Sequence, residues 1–222
     1  MAQARITIPV KNASASTVAF IVRENGTREV IGTSLATGNG ISFTAKGDLI
    51  VKLMDNKMVF TDVPGSHWAA EAIAFTTSRE LFRGTSDGIF APDETLSRAM
   101  LFTVLARLQG VETEGGAEWY SKARDWAAAY GISDGSAPEA TITREQLITI
   151  LHRYAGQPAA TGTGTVFTDS GDISPWAVEA VDWAVKTGIL NGKPENRLEP
   201  GDIATRAEVS AMLVRFIVWR SN

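Results

Sequence analysis

The chain has 222 residues, is 44% hydrophobic and 21% charged, and carries a formal net charge of −4 at pH 7. This balance argues against nucleic acid as the main partner, and a chain of this length can bury a core without disulfides or a structural metal. The absence of cysteine excludes thiolate chemistry, and no apolar run is long enough to insert in a membrane.

Residues 1–59 are rich in β-branched side chains, in segments such as TVAFIVRENGTREVIG and ISFTAKGDLIVKL. Asn25-Gly26 stands between two such runs, which is a strong signal for a hairpin turn. We therefore predict a small antiparallel β unit, either a complete module or the tail of a preceding domain. The chain start has no secretory h-region, so the chain is either cytoplasmic or a piece of a longer exported protein.

Residues 60–222 contain three repeats, at about 60–110, 111–156 and 165–217, in which the same residue types recur at fixed spacing. Each repeat has, in order, a tryptophan, a glycine and an arginine: Trp68, Gly84 and Arg98; Trp119, Gly135 and Arg144; Trp176, Gly192 and Arg206. The middle repeat is shorter, because its loop between Gly135 and Pro138 lacks residues that the other two have.

Each repeat is predicted to fold as helix, loop, helix, which makes the whole chain mostly α. The tryptophan heads the apolar stripe of the first helix, so we expect it in the core, although a tryptophan at a groove edge could also stack on a sugar. Ser174 and Pro175 are predicted to cap the first helix of the third repeat. The repeat glycines are most simply turn residues, although glycine also lets a ligand approach the backbone.

The second helix of each repeat begins with a hydroxyl residue. Thr143 with Gln146, and Thr205 with Glu208, have the spacing of a capping box, whereas Ser97 has only half of one. The arginine that follows each hydroxyl residue is not explained by capping, because a cation is disfavoured at the start of a helix.

Two interpretations account for this arginine. Either the arginine pairs with an acidic residue of the chain, or it binds an external anionic ligand. The start of a helix would also favour such an anion. The acidic candidates are Asp93, Glu94, Glu139, Glu199 and Asp202. A second set of arginines, at Arg107, Arg153 and Arg215, lies near the helix ends, where a cation is favourable, and is interpreted as structural.

Catalytic signals are weak. The two histidines, His67 and His152, are far apart in the sequence, and no acid pair, nucleophile or phosphate-binding loop recurs. We therefore expect no catalytic residues, no metal site and no cofactor. An enzyme, for example one acting on glycans, is a third interpretation, which none of these residues supports.

The segments FTDVPGSHWAAEAI, SDGIFAPDETLSRAM, FTDSGDISPWAVEAV and ATRAEVSAML resemble the S-layer homology domain family, in three tandem copies. The resemblance implies the C-terminal end of a bacterial surface protein, with the repeats packed around a pseudo-threefold axis and a groove between neighbours. In the family, such grooves bind a secondary cell-wall polysaccharide, often one with pyruvylated N-acetylmannosamine, and the resemblance implies the same here.

By position, the resemblance implies that the acidic group of the glycan is bound by Arg98, Arg144 and Arg206. It assigns supporting contacts to the three tryptophans and three loop glycines named above. Asp62 and Asp169 are further candidates, although either could equally brace the fold. The middle repeat lacks the Phe-x-Asp start, and Arg206 has the fullest motif, so unequal grooves are expected.

The sequence thus predicts a non-catalytic module that anchors a protein to the cell wall at the cell surface. Its partner is expected to be a secondary polysaccharide attached to peptidoglycan, with self-association in a surface layer as a further contact. The alternative is a structural repeat domain for self-assembly or protein contacts that binds no glycan. Open grooves at the guanidinium groups would favour the first interpretation, and burial against acidic residues the second.

Overall fold

The computed structural model of the chain describes residues 3–161 and 166–221. This part has six strands: β1 Gln3–Ile8, β2 Thr17–Val22, β3 Arg28–Val30, β4 Leu35–Thr37, β5 Gly40–Lys46 and β6 Val51–Asp55. It has six α-helices: α1 Ala70–Ser78, α2 Arg98–Leu108, α3 Ser121–Ala129, α4 Arg144–Tyr154, α5 Val178–Lys186 and α6 Arg206–Arg220. None of these helices is long and apolar enough to cross a membrane.

Two compact units make up the chain. The first comprises Met1–Pro92 and Arg107–Gly110, and the second comprises Asp93–Ala106 and Val111–Asn222. The predicted division at residue 59 stays a prediction. Part of the linker predicted at 157–165, residues 162–165, lies outside the described residues.

The strands of the first unit form two antiparallel sheets, with strand orders β1-β5-β4 and β3-β2-β6. Ala19, Ile41 and Phe43 form a buried apolar cluster in this unit. The predicted hairpin is confirmed: β2 pairs with β3, and Gly26 takes the left-handed conformation (φ 80°) that the turn requires.

The interpretation of the chain as mostly α is wrong. The described residues have six strands in two antiparallel sheets as well as six α-helices, because residues 3–55 use their β-branched side chains in those sheets. The prediction counted the helices of the repeats and gave the β region too little weight.

In the second unit, three short extended segments hydrogen-bond to one another in a closed ring. Leu96 N–H donates to Ala204 O (3.0 Å), Ala204 N–H to Ile142 O (2.9 Å), and Ile142 N–H to Leu96 O (2.9 Å). All three residues are fully buried. Because each segment directly precedes α2, α4 or α6, the ring brings the three helix starts, with their motif arginines, to one end of the bundle.

The capping predictions for these helices are confirmed. Thr143 with Gln146 forms a complete capping box at α4, and Thr205 with Glu208 forms one at α6. Ser97 accepts only the Met100 N–H (3.2 Å), which is the half box that the sequence predicted.

The predicted cap of α5 is wrong. The helix begins at Val178 and its N-cap residue is Ala177, so Ser174 and Pro175 lie in the turn before it. The Ser174 hydroxyl donates instead to Glu145 Oε1 (2.8 Å), and the Ser174 N–H donates to Glu145 Oε2 (2.9 Å). A carboxylate from α4 thereby fixes the entry of the chain into α5.

Candidate functional site

Arg98 lies against the loop that follows α3. Its Nε donates to Ser136 O (3.0 Å), and its Nη2 donates to Ser133 Oγ and to Asp134 Oδ1 (3.0 Å each). The Asp134 side chain is largely exposed, and the pKa of its carboxyl is lowered, first by the Ser136 N–H and hydroxyl and also by Arg98. The structure thus brings Arg98 together with the loop that contains Gly135, and the acidic partner stands at the surface.

Arg144 is held more tightly by the loop after α5. Its Nε donates to Leu198 O (2.8 Å), its Nη2 to Asn191 O (3.3 Å), and its Nη1 to Glu208 Oε1 (3.2 Å). The Arg144 side chain is only 3% exposed, compared with 16% for Arg98. Burial lowers the pKa of Arg144, and the nearby carboxylates, Glu208 first, act in the opposite direction.

A lysine shares the acidic partner of Arg144. Lys193 Nζ lies 2.7 Å from Glu199 Oε2, 3.4 Å from Glu208 Oε1 and 3.5 Å from Asp202 Oδ2. Burial opposes the charge of Lys193, but the Glu199 hydrogen bond and the Glu208 charge outweigh it and raise the pKa. Arg144 and Lys193 therefore meet three carboxylates here, and Arg197 Nε adds a third cation 3.9 Å from Glu199 Oε1.

Arg206 begins α6, and its backbone N–H donates to Glu94 O (2.9 Å). Its side chain is buried. The sequence favoured this arginine because its repeat has the fullest motif, and a role in binding stays a prediction.

The sequence predicts that the three tryptophans lie in the core, and this prediction is wrong. Trp68, Trp119 and Trp176 are 64%, 53% and 55% exposed. In each repeat the helix begins two residues after the tryptophan, so the indole lies on the preceding turn and not on the buried stripe. Three large aromatic faces are therefore presented to solvent from equivalent positions.

The structure connects one of these tryptophans with a motif arginine. Glu145 follows Arg144 in α4, and its carboxylate binds both polar groups of Ser174, two residues before Trp176. Arg144, Asn191, Gly192 and Trp176 thus belong to one region of the second unit.

The two candidate aspartates brace loops. Asp62 accepts the backbone N–H groups of Phe90 (3.0 Å) and Ala91 (2.6 Å). Asp169 accepts those of Leu198 (2.8 Å) and Glu199 (2.7 Å). Each carboxylate is occupied by two backbone donors of its own repeat, which is the structural role that the sequence left open.

Two of the candidate glycines are required for packing. A Cβ at Gly84 would lie 2.6 Å from Ile89 O and 3.0 Å from the Phe60 ring, and one at Gly192 would overlap the Phe167 ring. The phenylalanine of Phe-x-Asp therefore rests on the loop glycine in the first and third repeats. The middle repeat has no such phenylalanine, so Gly135 does not have this packing role. Gly135 instead takes the left-handed conformation (φ 71°).

Several residues of these sites were not predicted. Asp134 and Glu208, the acids that pair with Arg98 and Arg144, were not among the five acidic candidates, and Lys193 and Glu145 were not singled out. Glu208 was assigned only to the capping box, but the cap uses only its Oε2, and Oε1 binds Arg144 and Lys193. Within the described residues, no group of three or more His, Asp or Glu side chains is placed to hold a metal ion.

Two segments of the chain match the sequence model of a known family. The sequence model of the S-layer homology domain matches residues 59–99 and 166–210. The chain is 30% identical over 187 residues to exoglucanase XynX of Acetivibrio thermocellus, which covers 77% of this chain and 17% of that protein. It is 31% identical over 203 residues to amylopullulanase of Thermoanaerobacterium thermosulfurigenes, covering 83% of this chain and 11% of that protein.

A third relative is the cellulosome-anchoring protein of Acetivibrio thermocellus, 29% identical over 147 residues, which covers 57% of this chain and 32% of that protein. The chain thus spans less than a fifth of the length of the exoglucanase and the amylopullulanase. The segment that these proteins share with it is a small part of each.

Proposed function

We propose that this chain is a non-catalytic module of S-layer homology repeats that anchors a protein to the bacterial cell wall by binding an anionic, pyruvylated secondary polysaccharide. Two segments that match the family model, and a relative whose name is cellulosome-anchoring protein, support this proposal. The enzymes among the relatives share only a short segment with the chain, which fits a wall-binding part better than a catalytic one.

The observation that carries the proposal is the exposure of Trp68, Trp119 and Trp176 at equivalent positions. An exposed indole gains little for the fold, whereas an indole face is a good surface for a sugar ring. The guanidinium groups of the motif arginines are proposed to supply positive charge for the acidic group of the glycan.

The test replaces all three tryptophans by alanine and measures retention on purified cell-wall sacculi. We expect retention to fall at least about tenfold, which corresponds to about 1.4 kcal/mol, with little change in the thermal midpoint because the rings are exposed. Tyr130→Ala, which removes another exposed aromatic ring, is the matched control and should bind normally. Unchanged retention of the triple variant would contradict the proposal.

One observation favours the alternative, a structural repeat domain that binds no glycan. Arg144 is buried and paired with Glu208, as that alternative predicts for a motif arginine. The alternative predicts no retention on sacculi by the unaltered chain.

A further inference from the structure

The Arg98 and Arg144 sites are built on the same hydrogen bonds. Arg98 N–H donates to Ala140 O and Arg144 N–H to Asp202 O; each acceptor lies four residues before the next motif arginine. The following N–H groups, of Ala99 and Glu145, donate to Pro138 O and Pro200 O, six residues before it.

The guanidinium groups also bind acceptors at equivalent positions of the two repeats. Arg98 Nε donates to Ser136 O and Arg144 Nε to Leu198 O, each eight residues before the next motif arginine. The two sites are thus equivalent in backbone and in the orientation of the arginine. Any difference in their chemistry must come from the side chains around them.

The decisive difference is the third residue of the following helix. At the Arg144 site this residue is Glu208, which caps α6 with one oxygen, accepting Thr205 N–H (3.1 Å), and binds Arg144 and Lys193 with the other. At the Arg98 site the equivalent residue is Gln146, which caps α4 through Thr143 N–H (3.2 Å) but has no charge.

The remaining contacts of Arg98 leave it more open. Its acidic partner Asp134 is a loop residue with a largely exposed carboxylate. Among the described residues, Arg98 Nη1 has no hydrogen-bond acceptor. An incoming carboxylate could therefore bind Arg98 by displacing an exposed acid, whereas at Arg144 it would have to displace Glu208, which is largely buried and is also bound by Lys193.

We propose that the third residue of each capping box determines whether the arginine of the preceding repeat binds an anionic ligand. Glu208 closes the Arg144 site to anions, because its carboxylate already pairs with both Arg144 and Lys193, and Gln146 keeps the Arg98 site open. This inference rests on the proposed function, because it assigns the acidic group of the glycan to one arginine and excludes it from another.

Each capping box contains at its third position the residue that can be substituted into the other box. Glu208→Gln should keep its cap, because Gln146 already caps α4, and Gln146→Glu should keep its cap, because Glu208 already caps α6. Glu24→Gln, at an exposed position of the first unit, makes the same change in net charge as Glu208→Gln, whereas both arginines belong to the second unit.

The experiment titrates each full-length variant with the 4,6-pyruvate ketal of N-acetylmannosamine and follows the arginine Nε–H signals by NMR, with unmodified N-acetylmannosamine as the reference sugar. In the unaltered chain we expect the Arg98 signal to respond and the Arg144 signal to stay constant. Gln146→Glu should weaken binding at Arg98 about tenfold, equivalent to about 1.4 kcal/mol. Glu208→Gln should make the Arg144 signal respond, and Glu24→Gln should change neither signal.

Three results would overturn the inference. The first is that the unaltered chain binds the ketal and Gln146→Glu does not weaken binding at Arg98. The second is that the Arg144 signal does not respond in Glu208→Gln. Either result contradicts the inference and leaves the proposed function intact. Failure of the unaltered chain to bind the ketal at all contradicts both.

Discussion

At the scale of single residues, the motif arginines show how the fold accommodates a cation at a helix start. Backbone carbonyl groups of the neighbouring loop accept from Arg98 and Arg144, and a carboxylate completes each site. The sequence identified the electrostatic problem but not the partners. Asp134 and Glu208 are distant from their arginines in sequence, and only the closed ring of segments brings them close.

Asp169 gives a test at this scale. Although desolvation raises the pKa of its carboxyl, the N–H groups of Leu198 and Glu199 outweigh this, and the pKa is lowered overall. A group with a lowered pKa in the folded state stabilises the protein above its unfolded pKa, and this contribution is lost as the pH falls through the folded value.

We therefore expect Asp169→Asn to reduce the free energy of unfolding at neutral pH. Its loss of stability between about pH 5 and pH 2 should be smaller than that of the unaltered chain. Urea unfolding across this range measures both effects. Asp172→Asn, at an exposed position in the same repeat, should behave like the unaltered chain; equal acid sensitivity of the Asp169 variant would contradict the assignment.

At the scale of helices, the sequence predicted the starts of α4 and α6 correctly because capping is a local interaction of residues three apart. It failed at α5 for the opposite reason. Ser174 was assigned to its own helix, but its polar groups bind Glu145, a residue of α4 that is distant in sequence.

This contact yields a prediction for the pairing of α4 with the turn before α5. Glu145→Ala leaves the Ser174 N–H without its acceptor and should cost about 1–3 kcal/mol of unfolding free energy. Ser174→Ala removes only the hydroxyl bond and should cost about 1 kcal/mol. Urea denaturation of both variants, with the exposed Glu139→Ala as control, tests the order, and a smaller effect in Glu145→Ala than in Ser174→Ala would contradict it.

At the scale of the whole molecule, the repeats and their residue spacing were visible in the sequence, whereas the balance of helix and strand was misjudged. The exposure of Trp68, Trp119 and Trp176 was also misjudged, because the prediction put each of them in the first turn of a helix that begins two residues later. Burial depends on where an element starts, and a spacing pattern locates that start only to within a few residues.

Several weak contacts on one chain can still give firm attachment to a polymer. Once one site is bound, the others meet the same polysaccharide at a high effective concentration, so retention exceeds the affinity of any single site. A closed Arg144 site is therefore compatible with anchoring, provided that other contacts of the chain engage the glycan.

The most direct test of wall anchoring is retention of the unaltered chain on purified sacculi before and after chemical removal of the secondary polysaccharide. We expect strong retention on intact sacculi and loss of most of it once the polysaccharide is removed, because the glycan and not the peptidoglycan is the proposed ligand. Equal retention on both preparations, or none on either, would contradict the proposal.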